Sequence, residues 1–88
     1  MCNEIYYLYY SQIDRLSERD LSRMNLNQLQ RTIDHCVEIA KGIDRDFREN
    51  ILDVDEWSSL KSLVSHPMTS ACCAQYDLRK ANESIIEA

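Results

Sequence analysis

The stretch that decides the fold is LQRTIDHCVEIAKGIDRDF, residues 29–47. Within it Leu29, Ile33, Cys36, Ala40, Ile43 and Phe47 follow one another at alternating spacings of four and three residues. That spacing returns side chains to one face on every turn and gives two apolar positions per heptad, the seam of a helix that packs against another helix. Val37 and Ile51 widen the seam, while Asp34, Glu38, Lys41, Arg45 and Arg48 fall largely on the opposite side. Asp34 and Glu38 are like charges four residues apart, so salt pairing is not what holds this helix, and packing must.

The start of the helix is written in Asn25 and Gln28, whose spacing lets a cap side chain and a third-position amide satisfy each other's backbone donors. From Leu26 to Asn50 the helix would be roughly 37 Å long at 1.5 Å per residue, against a globule of about 30 Å for this chain length. Part of it is expected to project or to dock on a second copy, which makes Leu29, Ile33, Cys36, Ala40, Ile43 and Phe47 the candidate self-association surface. Gly42 is the weak point, costing about 1 kcal/mol relative to Ala, and glycine also commonly ends helices. The seam passes through Gly42 in register, so the spacing predicts a continuous helix.

Towards the N-terminus, Ile5, Tyr6, Tyr9, Ile13 and Leu16 occupy about a third of a helical circumference, the width of a core-facing stripe. A strand over Ile5 to Tyr10 is the competing reading, but no second strand of similar quality exists to pair with it. In the helical projection Tyr7 and Leu8 lie off the stripe and should be exposed. Residues 17–25 are polar, with Leu21 and Met24 as core contacts, and read as a short helical turn or loop.

Towards the C-terminus, Asp53 and Glu56 repeat the capping spacing before a third helix with Val54, Trp57, Leu60, Leu63 and Val64 on one face. Ser65, His66 and Pro67 predict its end, because a proline disfavours helical backbone before it and suits the first turn of a new helix. A fourth helix is expected from Met68, carrying Ala71, Ala74, Leu78, Ala81 and Ile85. The fold class expected is all-α: a single domain over residues 1–88, a three- or four-helix bundle with one long central helix, associating with itself.

Composition agrees. One glycine and one proline among 88 residues leave little material for the tight turns of a β-fold. The 44% apolar and 28% charged content suits a folded domain. A net charge of -5 opposes non-specific binding to phosphate backbones. No apolar run reaches the roughly 20 residues that span a bilayer, and the first residues lack a signal peptide's pattern, so a cytoplasmic, reducing location is expected. In such a compartment Cys2, Cys36, Cys72 and Cys73 are free thiols.

Chemistry-bearing constellations are sparse. His35 beside Cys36, and Cys72 beside Cys73, lack the spacing of zinc ligands, since adjacent helical residues point about 100° apart. A metal or redox module is therefore an alternative without a motif, and no cofactor is expected. No glycine-rich phosphate loop or nucleophile elbow is present, and the chain offers little room for an enclosed pocket, so no catalytic residue is assigned. A helix-turn-helix regulator, joined at His66 and Pro67, would have only Arg79 and Lys80 as cations late in its recognition helix.

Two surfaces remain as candidates for a protein partner. Tyr6, Tyr7 and Tyr10 with Leu8 form an aromatic cluster of the kind favoured at interfaces, where a rigid ring is buried and a polar tip stays wet. Asp44, Asp46, Glu49, Asp53, Asp55 and Glu56 fall within residues 44–56 against Arg45 and Arg48, an acidic patch able to steer towards a basic surface. Asp53, Asp55 and Glu56 are taken as its partner-facing members. In format, with MNLNQLQRTID (residues 24–34) opening a long helix between polar segments, the chain resembles the small helical accessory proteins of temperate phages and other mobile elements. That resemblance implies a regulatory protein that binds a repressor or another host protein, as antirepressors do, without catalytic residues and without direct nucleic-acid or membrane contact.

Overall fold

The computed structural model describes residues 3–87, with side chains as far as residue 83. Helix α1 spans Glu4–Ser17, α2 spans Leu26–Arg48 and α3 spans Val54–Glu87, with a 3-10 turn at Leu21–Arg23 between the first two. No strand occurs among the described residues.

Each helix begins where its capping chemistry dictates. The Asn25 carboxamide accepts from the Gln28 amide at 2.9 Å and the Gln28 side chain accepts from the Asn25 amide at 3.0 Å. Asp53 and Glu56 make the same reciprocal pair at 2.7 and 3.0 Å. Two backbone donors that a helix start would leave bare are thus satisfied at each place. Helix α2 runs unbroken through Gly42 and ends two residues before Asn50, which adopts φ 62°. The Ile51 amide then donates to the Asp46 carbonyl at 2.8 Å and the Asn50 amide to the Phe47 carbonyl at 3.1 Å. That bonding pattern, with Asn in the left-handed position, is a Schellman termination.

Hydrogen bonds between helices set the topology. Asn3 reaches Glu56 and Tyr6 reaches Ser59, so α1 runs parallel to α3. Helix α2 is antiparallel to α3, because Asp44 meets Lys61 at one end and Gln30 meets Gln75 at the other. Between them lies a core of Ile13 and Leu16 from α1, Cys36, Ile39 and Ile43 from α2, Leu52 from the turn, and Leu60 and Val64 from α3.

Two expectations are corrected. The third and fourth helices are one: α3 continues through Pro67, and His66 is an exposed mid-helix residue instead of a helix end. Leu60, Val64, Pro67 and Ala71 are all buried at four-, three- and four-residue spacing, so the apolar face of α3 crosses the proline in register. Packing along that face outweighs the roughly 3 kcal/mol that an interior proline costs. The element that outruns the globule is accordingly α3, not the helix expected over residues 26–50. The molecule measures 58 × 21 × 17 Å and its radius of gyration is 15.6 Å, where a compact chain of this length would have about 12 Å.

The seam of α2 is used in part within a single chain. Leu29, Cys36 and Ile43 are fully buried within a single chain, while Ile33, Ala40 and Phe47 are half-buried. The deepest residues assigned to self-association are taken up by the chain's own packing.

Candidate functional site

Helix α1 is held along one side and open along the other. Asn3 caps it by accepting from the Ile5 amide at 3.0 Å. The same side chain donates to the Ile51 carbonyl at 2.8 Å and to Glu56 at 3.3 Å, tying the start of α1 to the α2–α3 turn. Further along, the Tyr9 hydroxyl donates to Asp46 Oδ2 at 2.6 Å. The phenol lies over Gly42, where a Cβ would meet the Tyr9 oxygen at 2.7 Å. Ile13 and Leu16 complete the anchored side in the core.

The anchored groups have electrostatic signatures. Burial, reinforced by the Asp46 carboxylate, pushes the Tyr9 hydroxyl up to about 12. Asp44 accepts from Trp57 Nε1 at 2.8 Å and from Lys61 Nζ at 3.2 Å. The indole bond, followed by Lys61, holds its carboxyl below the usual range against an opposing effect of burial. Trp57 is also stacked on Phe47, with ring centres 4.8 Å apart. Burial raises the Cys36 thiol, with Cys72 a lesser cause.

The open side carries the aromatic cluster. Tyr7 is 52% exposed, Leu8 59% and Tyr10 43%. Tyr6 belongs to the anchored side: it is half-buried, its hydroxyl lies 3.3 Å from Ser59 Oγ, and its ring meets Tyr7 edge-on and Tyr10 at a tilt. Glu4, Tyr7, Leu8 and Ser11 line a shallow depression on this outer face.

The acidic patch does not form one open surface. Asp46 is buried under Tyr9, Asp44 is held by Trp57 and Lys61, and Asp53 and Glu56 cap α3. Of the three carboxylates proposed to face a partner, Asp55 is exposed and has no capping role, whereas Asp53 and Glu56 serve the fold. A larger open groove of about 930 Å³ runs along α2, lined by Tyr9, Ile39, Gly42, Lys41 and Arg45 among others. Among its charged groups Lys41 pairs with Glu38, and Arg45 pairs with the buried Asp46.

The sequence reading missed Asp46 and Gly42 as a structural pair. The available signal was their four-residue spacing on one flank of α2, a small residue and an acid facing the tyrosine-rich helix. Cys36 is buried and Cys72 and Cys73 are exposed thiols, while Cys2 lies outside the described residues. No group of three or more metal-ligating side chains gathers among the described residues, and no helix there is long and apolar enough to cross a membrane. The chain matches no known family model, no curated protein and no solved structure.

Proposed function

We propose that the protein is a regulatory interaction module that binds another protein through the outer face of α1 and carries no catalysis of its own. The observation that supports this reading is the exposure of Tyr7, Leu8 and Tyr10 on a helix whose opposite side is bonded to α2 and α3. A fixed helix with exposed apolar side chains is a ready docking element, because its ordering entropy is spent in folding and not in binding. Tyrosine gives large contact area with few rotors to immobilise. The sharpest form of the proposal is an antirepressor-like inhibitor, which covers or distorts a DNA-binding protein and so keeps it from its site. Direct DNA contact is a poorer fit: the chain has no turn at His66 and Pro67 to separate a recognition helix, and its net charge is -5.

The test is capture of the partner from the native cell with the wild-type chain and with Leu8→Ser and Tyr7→Ser. Each substitution is expected to weaken binding by tenfold or more, as truncation of an interface anchor worth about 1.4 kcal/mol does. Far-ultraviolet circular dichroism should stay unchanged. Undiminished capture by both variants would remove this face from the proposal.

A further inference from the structure

Helix α1 covers the pair of α2 and α3 on one side and leaves the other side open. It meets α2 at Gly42 and Asp46, through Tyr9, and α3 at Glu56 and Ser59, through Asn3 and Tyr6. At about 100° per residue, Ile33, Val37 and Ala40 lie nearly half a turn round α2 from Gly42 and Asp46. Met68 and Cys72 stand in the same relation to Glu56 and Ser59 on α3. The register of the two helices sets Ile33 level with Cys72 and Val37 level with Met68. One apolar strip results, half-buried at Ile33, Val37, Ala40 and Met68 and exposed at Cys72. Tyr76, 59% exposed, closes one end of it, and the neutral pair of Asp44 with Lys61 closes the other.

The charges on this side suit a second copy of the chain. A surface that meets its own copy doubles whatever net charge it carries, so it has to be close to neutral. The whole chain carries -5, yet residues 62–76 of α3 contain no Asp, Glu, Lys or Arg. Ser62, Ser65, Thr69, Cys72 and Tyr76 are exposed within that run. Such depletion is typical of the centre of an interface. On α2 the rim of the strip carries one acid and one base, both exposed: Asp34, three residues before Val37, and Lys41, four residues after it. Asp34 accepts from the Gln30 side-chain amide at 3.0 Å, and Lys41 lies 3.8 Å from Glu38. The chain exposes 6383 Å², about 1,000 Å² more than a compact protein of 10.3 kDa. That excess is large enough to supply one side of a standard interface, about 800 Å².

We propose that the side of α2 and α3 turned away from α1 pairs with the same side of a second copy, about a twofold axis that passes beside Val37 and sets each helix antiparallel to its counterpart. Val37 then lies near Val37 of the partner subunit, and Asp34 of each chain faces Lys41 of the other, so both ion pairs form at once. A parallel arrangement would set like charges level and lose both. The two copies of α1 remain on the outer sides of the dimer, so this pairing is independent of the docking role proposed for α1 and would present that face twice.

Sedimentation velocity of the full chain over a concentration series tests the proposal. A monomer–dimer equilibrium is expected, weakened tenfold or more by Val37→Glu, which brings two carboxylates together in the strip. Asp34→Lys and Lys41→Asp alter exposed positions and should leave circular dichroism unchanged. Each alone places like charges at both rim contacts and should weaken the dimer about three- to tenfold. The double variant Asp34→Lys/Lys41→Asp should recover the wild-type equilibrium, and an equimolar mixture of the two single variants should associate more tightly than either alone. A single chain at every concentration, or a dimer indifferent to Val37→Glu, would overturn the proposal. A double variant no better than the single ones would overturn the antiparallel arrangement.

Discussion

Gly42 carries no side chain because Tyr9 occupies the place where one would go. Replacing Gly42 with Ala should therefore displace the phenol from Asp46 and destabilise the chain by about 1–2 kcal/mol, even though Ala is the better helix former by about 1 kcal/mol. With Tyr9→Phe already in place the clashing oxygen is gone, and Gly42→Ala should become neutral or stabilising by up to about 1 kcal/mol. Urea titrations of the four chains in this cycle would show the reversal of sign, and two additive losses would refute the contact. The same tyrosine sets an alkaline limit. Below pH 10 its phenol is neutral in folded and unfolded chains, so nothing is lost; from 10 to about 12 only the unfolded chain ionises freely, and stability falls. Tyr9→Phe should remove that part of the decline. Asp44 acts at the other end of the scale: its contribution is intact above the ordinary carboxylate value and disappears as pH drops through its lowered one. Trp57 fluorescence should report that transition, and Asp44→Asn should abolish it. None of this was legible in the sequence, where Gly42 reads as a cost and Asp46 as one more surface acid, since Tyr9 and Asp46 are 37 positions apart and only folding introduces them.

The starts of α2 and α3, by contrast, were readable to the residue, because capping is local chemistry settled within four positions. Asn25 with Gln28 and Asp53 with Glu56 do in the structure what their spacing predicts. The break expected at Pro67 was the failure. Proline's local cost is real, yet Leu60, Val64 and Ala71 keep one buried face on either side of it, the same continuity that carries α2 through Gly42. Applied evenly, the periodicity would have joined the two segments. Pro67→Ala isolates the local cost: restoring an amide and relieving the ring should gain up to about 3 kcal/mol, against roughly 1.6 kcal/mol for the two buried methylenes lost. A net stabilisation of about 1 kcal/mol is expected by thermal unfolding, and a net loss would mean that the ring's packing matters more than the backbone strain it brings.

At the scale of the whole molecule, an all-helical chain with little room for turns was legible from composition, whereas the rod longer than the globule was read into residues 26–50. Which helix forms the rod was not legible, because that depends on where the apolar face of α3 stops being covered. The pairs Gln30 with Gln75 and Asp44 with Lys61 share one register, which sets Leu26, the start of α2, opposite Arg79. Beyond that point α2 no longer faces α3, and residues 79–83 are all exposed. Small-angle scattering in dilute solution should give a radius of gyration near 16 Å for a single chain, not the roughly 12 Å of a sphere-like one. The tie that Asn3 makes at the opposite end has a kinetic counterpart. There one carboxamide touches the beginning of one helix, the turn leaving a second and the cap of a third, so opening any of them means breaking the rest. Amide deuteration should consequently advance as a front, reaching the solitary tail of α3 first and the stitched end last, and cutting the stitch with Asn3→Ala should let the label enter from both ends at once.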